Sequence, residues 1–340
     1  MDRTLWLPPE WAAQRCILLT WPHDQGDWSD GLAAVERTFL AMACAIARFQ
    51  RVLITCRDDD HRAHVAELLA DVPACELAIA PSNDIWVRDH GPITVIDDGT
   101  ATLLDFRFNG WGNKYPALLD DAITERLMAQ NCFPWAERVA VPFVLEGGSL
   151  ECDGEGSLLT TSRCLLDPSR NGPISREDVE QKLGEWFACD RVLWLEHGHL
   201  EGDDTDGHID MLARFAPGNR ILYTACEDPS DSHAADLGAM AAELTALRTR
   251  SGKPYTLIPL PWPKARYNDD GARLPLSYAN FLVINGAVLV PTYAQEATDQ
   301  QALDCIAQAF PDREIISIPA LPLVRQHGSV HCASMQIPLT

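Results

Sequence analysis

The chain has no basic block, no Cys-x-x-Cys pair and no apolar run long enough to cross a bilayer. Each absence removes a class of function. Lys and Arg number 27 against 49 Asp and Glu, a formal net charge of −22. Such a surface repels phosphate backbones and anionic lipid, so neither nucleic acid nor membrane is an expected partner. The longest apolar stretches stop well short of the roughly 20 residues that a spanning helix needs. Eleven cysteines, an odd number scattered singly, argue against a disulfide frame or a zinc ribbon and for a reducing compartment. Met1-Asp2-Arg3-Thr4 runs straight into Trp6 and Pro8-Pro9 with no charged-then-apolar leader. The expected location is the cytoplasm. No Gly/Ser-rich or Pro-rich linker interrupts the 340 residues, which predicts a single domain over 1–340.

What is present is ordinary globular composition: 46% hydrophobic residues, enough to bury a sizeable core. Short β-branched runs alternate with helical periodicity. Cys16–Trp21 reads as a buried strand, and Val35, Phe39, Met42, Ile46 and Phe49 then recur at steps of three and four. Further strands are predicted at 52–55, 77–79, 93–96, 101–104, 138–144, 157–161, 191–195, 209–215, 220–225, 256–260, 279–284, 287–292, 314–318 and roughly 330–336. Asp98-Gly99 and Asn285-Gly286 are hairpin turn signals. Ser175-x-x-Asp178 and Thr298-x-x-Gln301 each read as a helix start. Hairpins and helices alternate every 50–70 residues, roughly, which suggests a structural repeat of the kind seen in radial folds.

Several stretches carry more chemistry than packing requires. Asn83-Asp84-Ile85-Trp86-Val87-Arg88-Asp89-His90-Gly91-Pro92 sets acid, base and indole side by side before a strand. A solvated loop would explain it; so would Asp89 accepting a guanidinium fork beside a Trp86 wall. Glu146-Gly147-Gly148 puts one acid ahead of two glycines, where the backbone turns tightly or approaches a ligand. Gly202-Asp203-Asp204-Thr205-Asp206-Gly207-His208-Ile209-Asp210 is the densest cluster. On a strand, His208 and Asp210 share one face. They could serve in acid–base chemistry, or with His197 and His199 as metal ligands. Phe108-Asn109-Gly110-Trp111-Gly112 reads by itself as a packed loop. Cys332, late in the chain after His331, is a candidate nucleophile, although a lone cysteine is more often a small buried apolar side chain.

Together these motifs resemble those of the agmatine deiminase family, which also holds bacterial peptidylarginine deiminases, within the guanidine-modifying superfamily. The matching stretches are 83–92, 108–112, 146–148, 204–210 and His331-Cys332, with Trp21-Pro22 and Asp27-Trp28 near the start, all in the family's order. The resemblance implies an α/β fold, a five-bladed propeller (pentein) of ββαβ units with pseudo-fivefold symmetry and its site on the central axis. By position, Cys332 is then the nucleophile, forming a covalent thiouronium, with His208 the general acid and base and Glu146 its orienting partner. Asp89 and Asp210 hold the guanidinium, while Trp86 and Asp204 join them in binding substrate. The implied reaction turns agmatine and water into N-carbamoylputrescine and ammonia with no metal and no organic cofactor. The implied partner is a small cationic guanidine, and a homo-oligomer is compatible with all of this. Arginine or peptidyl-arginine is the rival substrate within the family. A metal-dependent amidohydrolase built on His197, His199, His208 and Asp210 is the rival from another class, and a non-catalytic guanidine-binding protein the third. One departure stands out: Gln326-His327-Gly328-Ser329-Val330 replaces the family's Gly-Gly-Gly-Asn-Ile before His-Cys. It bears on substrate choice rather than on reaction type.

Overall fold

The computed structural model describes residues 5–340. The chain is α/β, built from five separate small sheets. Four of them repeat one plan, in which an antiparallel hairpin is followed by a helix and then by a strand parallel to the hairpin's second arm. The first joins Ile93–Asp97 and Thr100–Arg107, crosses by the helix Ile123–Ala129 and adds Ala136–Val144. The second joins Glu151–Cys152 and Ser157–Thr161, crosses by Arg176–Phe187 and adds Arg191–Leu195. Ala213–Ala216, Arg220–Thr224, Ala234–Ala246 and Thr256–Leu260 form the third. Leu282–Ile284, Ala287–Thr292, Glu296–Ala309 and Glu314–Pro319 form the fourth. The fifth is assembled from distant parts of the chain. Ser334–Pro338 pairs antiparallel with Gln14–Thr20, after which the helix Leu32–Ala47 leads to the parallel strand Arg51–Cys56 and then to Cys75–Ile79.

Local chemistry accounts for these elements. Gln14–Thr20 is buried almost throughout, with Cys16–Leu19 a continuous apolar run, because both faces of its sheet are covered. The helix Leu32–Ala47 buries Val35, Phe39, Met42 and Ile46 along one stripe. Each such side chain contributes about 1.5–3 kcal/mol of transfer free energy. Asp98 and Gly99, both at positive φ, make the tight hairpin that their pairing predicts. Ser175 caps its helix by accepting from the Asp178 amide at 3.1 Å.

Three expectations change. Thr298 does not start a helix, because the helix already begins at Glu296; Asp299 instead ties down the entry, accepting from the amides of Gln295 and Tyr293. Ile209–Met211 is a single 3-10 turn, with the strand starting at Ala213, so His208 and Asp210 do not alternate along a strand. Cys332 likewise lies ahead of the last strand, which begins at Ser334. The last two share a cause in position: each segment ends a long connection and must bend before entering its sheet.

That position recurs in every unit. Val87–His90 precedes the first hairpin, Gly147–Ser149 the second, Ile209–Met211 the third, Asn280 the fourth and Cys332 the fifth. Each unit thus delivers a polar or thiol side chain from the same point of its plan. The C-terminal strand is what brings the thiol in. Ile337 is fully buried and pairs with Cys16. Ile337→Asp, placing a charge there, is expected to remove at least about 3 kcal/mol of stability, read as a lowered urea midpoint.

Candidate active site

The five segments meet around Cys332. Asn280 Nδ2 donates to the Cys332 sulfur at 3.1 Å, while its Oδ1 accepts from the amides of His331 (3.0 Å) and Cys332 (3.2 Å). One amide thereby fixes both the thiol and the turn carrying it. The sulfur lies 3.5 Å from Asp210 Oδ2. From the other side, the Arg88 amide donates to the Cys332 carbonyl at 3.1 Å, tying the turn to the segment bearing Asp89.

Asp89 is locked on both oxygens: the Gly148 amide donates to Oδ1 and Trp111 Nε1 to Oδ2, each at 3.0 Å. Asp210 differs. Its Oδ2 takes a 2.7 Å bond from His331 Nδ1, whereas Oδ1 has no hydrogen-bond partner. His208 stands between acids, Nδ1 3.6 Å from Asp89 and Nε2 3.6 Å from Glu146. Those separations are just beyond hydrogen-bond reach, as is common for catalytic groups without substrate. Glu146 is gripped by Arg170 Nε at 3.0 and 2.8 Å and touched by the Cys164 thiol at 3.8 Å. His208, Glu146 and Asp210 are all 0% exposed, so these charges act in a poorly screening medium.

Glycine is required here for space. A Cβ on Gly148 would lie 2.6 Å from His208 Nδ1 and 2.8 Å from Asp89 Oδ1. One on Gly328 would lie 2.3 Å from the Trp86 ring. Gly328 therefore lets Trp86, tilted at 58° against Trp28 with centroids 5.8 Å apart, form part of the wall.

The electrostatics favour a cation. Burial, reinforced by the charges of Asp210 and Asp89, pushes the Cys332 thiol well above the usual thiol range. Burial raises Asp89 to about 6, against the opposing pull of His208. Burial alone would lower His208, but Asp89, with Glu146 on the other nitrogen, raises it well above the ordinary imidazole value. Glu146 and Asp210 also feel burial, yet fall below the usual carboxylate range, Glu146 through His208 and Arg170, Asp210 through His331.

Cys332, Asp89, Trp86 and Asp204 line one cavity of about 480 Å³. Its remaining charged wall is Asp27, Asp84 and Asp203, with the imidazole of His327, and includes no Lys or Arg. Tyr115 donates to Asp204 at 2.8 Å, and Gln326 and His327 reach the carbonyls of Asp27 and Gly202. Arg88 turns away to Gln336 (2.6 Å) and lines a different cavity with Glu10. His197 pairs with Glu243 instead of joining His208. Among the described residues, the only group of three spaced to hold a metal is Glu146, Cys164 and His208, so the quartet of His197, His199, His208 and Asp210 does not assemble. Arg170, bonded to Glu146, already fills that acid's cation requirement.

Sequence reasoning missed Asn280, Arg170, Cys164 and Glu10, and took the Trp111 loop for packing. Asn280 had a usable signal, a polar residue just ahead of an apolar strand, as at Asp89 and Cys332. Arg170 had none. One outcome follows from the raised thiol. Alkylation of Cys332 by iodoacetamide, followed by peptide mass spectrometry, is expected to climb about tenfold per pH unit from about pH 7 to 9 without a plateau.

The profile of the Porphyromonas-type peptidyl-arginine deiminase family matches residues 6–338. The agmatine deiminase of Stutzerimonas stutzeri strain A1501 is 33% identical, over 98% of this chain and 95% of that protein. A solved Porphyromonas gingivalis structure, provisionally named an arginine deiminase, is 48% identical with a TM-score of 0.92 and covers 98% of each chain. An agmatine deiminase of C. jejuni, solved with substrate bound, is 35% identical with a TM-score of 0.92 over 99% of this chain and 97% of that one. By the family profile, by full-length relatives and by shared structure, this chain belongs to the Porphyromonas-type peptidyl-arginine deiminase family.

Proposed function

We propose that this protein is a hydrolase that deiminates agmatine to N-carbamoylputrescine with release of ammonia, within one domain arranged as a five-bladed propeller. Four sheets of one plan and a fifth assembled from distant parts of the chain, each sending a residue to the same region, support the propeller. The observation carrying the substrate is the wall of the Cys332 cavity, which among the described residues holds five aspartates and no Lys or Arg. An ammonium tail is welcome there. The α-carboxylate of arginine would be set among like charges at a cost of several kcal/mol.

The chemistry follows from the placement. A guanidinium carbon is a poor electrophile because three nitrogens share its charge. Asp89 and Asp210 fix its plane and orient it toward the sulfur. Its positive charge also offsets the two carboxylates that disfavour the thiolate, so substrate arrival favours release of the thiol's proton to solvent, leaving the thiolate. The sulfur attacks the guanidinium carbon, and the adduct expels ammonia as His208 gives the departing nitrogen a proton. A thiouronium is left on Cys332. His208, now neutral, takes a proton from water; the resulting oxygen bonds to carbon, and the C–S bond breaks to release the ureido product and the thiol. Glu146, itself held by Arg170, orients His208, while Trp86 and Asp204 receive the substrate's tail. The shared resemblance to agmatine deiminases, one of them substrate-bound, supports this assignment.

Arginine is the second reading, favoured by the 48% identity to the Porphyromonas gingivalis protein. Ammonia release from agmatine, arginine and an arginyl peptide, measured side by side, decides between them. Agmatine is expected to lead in kcat/KM by at least about 100-fold, and a lead for either arginine substrate reverses the assignment. Cys332→Ala is expected to abolish turnover with unchanged circular dichroism. Gly148→Ala, whose methyl group meets His208 and Asp89, is expected to lower kcat/KM by about 100-fold or more at nearly unchanged melting temperature.

A further inference from the structure

Behind Asp210 stands a line of buried charged residues to which the guanidine reaction assigns no part. His331 Nδ1 lies 2.7 Å from Asp210 Oδ2, and His331 Nε2 lies 2.7 Å from Glu10 Oε2. Arg214 Nη2 donates to the same Glu10 oxygen at 2.7 Å, and the Val283 amide donates to its Oε1 at 2.6 Å. Arg214 is itself fixed by Glu151 (2.9 Å) and by the carbonyls of Phe281 (2.6 Å) and Ala279 (3.2 Å). Signs alternate along the line, from Arg214 through Glu10 and His331 to Asp210, and none of the four is more than 6% exposed.

The two guanidinium-facing acids are held differently. Asp89 has a donor on each oxygen, whereas Asp210 has His331 on Oδ2 and nothing on Oδ1. Rotation about the last bond of an aspartate is soft, so a carboxylate with one free oxygen needs a rigid donor on the other. His331 is rigid because Glu10 holds its far nitrogen. With a carboxylate 2.7 Å from each ring nitrogen, the ring is placed to donate to both, and a ring that does so sets positive charge directly behind Asp210. The other charged groups around this point are Asp89 in the cavity wall with His208 3.6 Å from it, the Cys332 thiol, and Arg88, whose Nε donates to the His331 carbonyl and whose Nη2 is 3.8 Å from Glu10.

We propose that His331, anchored by Glu10 and Arg214, is a positioning residue for the reaction, turning Asp210 so that its free Oδ1 and its negative charge face the guanidinium. This rests on the hydrolase assignment above. Only one of the acid's oxygens then serves substrate, and a chain of buried ion pairs that starts at Arg214 and passes through Glu10 sets its direction. His331 touches neither substrate nor the attacking sulfur, so its loss acts through Asp210.

The test is the pH profile of kcat, KM and kcat/KM for agmatine in His331→Gln, which offers Asp210 a neutral donor. Burial raises Asp210 and His331 outweighs it, so removing that charge lets Asp210 rise. The ionised form then appears only at higher pH. The acid limb of kcat/KM is expected to move up by about one pH unit. KM at about pH 7 is expected to rise about tenfold, with kcat changed by less than about threefold. An unmoved limb with kcat/KM within about twofold of the parent overturns the proposal, as does a loss confined to kcat. Glu10→Gln, which frees the anchor, is expected to move the limb the same way by less, and it stands in if His331→Gln does not fold. On the unaltered protein, nitrogen-15 spectra of labelled histidine are expected to show both His331 nitrogens protonated through the active pH range; a ring with one N–H overturns the proposal. Unaltered protein that releases no ammonia from agmatine fails the hydrolase assignment itself, and the ring-nitrogen measurement still decides whether His331 is the double donor.

Discussion

Negative charge held out of water around a thiol is the constraint on which this structure depends. Asp89, Asp210 and Glu146 are buried within one small region, together with the Cys332 sulfur. Isolated carboxylates would not stay ionised there, because the desolvation cost of a bare charge is several kcal/mol. Each is held by a specific donor instead: Gly148 and Trp111 on Asp89, His331 on Asp210, Arg170 on Glu146. The donors come from elsewhere in the chain, so the site exists only while the sheets hold their relative places. The thiol is the group left short. Burial and the charges of Asp210 and Asp89 push it well above the usual thiol range, an environment that favours a cation beside it.

The same logic extends outward. Arg170 binds Glu146 and also Asp206 (2.9 Å) and the Thr205 carbonyl (2.9 Å), so the acidic loop 203–206 is fastened to the residue beside His208. Lys114 closes that loop from outside through Asp206. The loop's remaining acids, Asp203 and Asp204, face the cavity. Cations of the protein are thus spent behind the wall, and the wall itself, among the described residues, presents carboxylates and His327 beside the Cys332 thiol and the Tyr115 phenol. An acidic lining with its basic residues turned away is an arrangement for a positively charged guest.

Much of the architecture could be read along the chain. The alternation of β-branched runs with three-and-four periodicity placed most strands within a few residues, and Asp98-Gly99 makes the turn its chemistry requires. Errors fall where the chain bends. His208–Asp210 and Cys332 sit on turns because a residue arriving at the mouth of a sheet cannot continue the extended backbone from which it came. Among the charged residues, pattern could not separate Arg88 from Arg170 or His197 from His208. Each pair is similar in local surroundings, yet Arg170 grips Glu146 while Arg88 turns to Gln336, and His208 enters the site while His197 pairs with Glu243.

The sequence by itself determined the α/β class, the sites of the turns and the short list of residues able to handle a guanidine, since these follow from local periodicity, steric freedom and side-chain chemistry. Tertiary structure alone decided which of those residues meet, that Asn280 reaches the sulfur, and that Glu10 near one end of the chain stands behind Asp210 through His331. Those contacts join residues tens to hundreds of positions apart. They depend on strand pairing between distant segments, above all Ser334–Pro338 with Gln14–Thr20, and no local pattern carries that information.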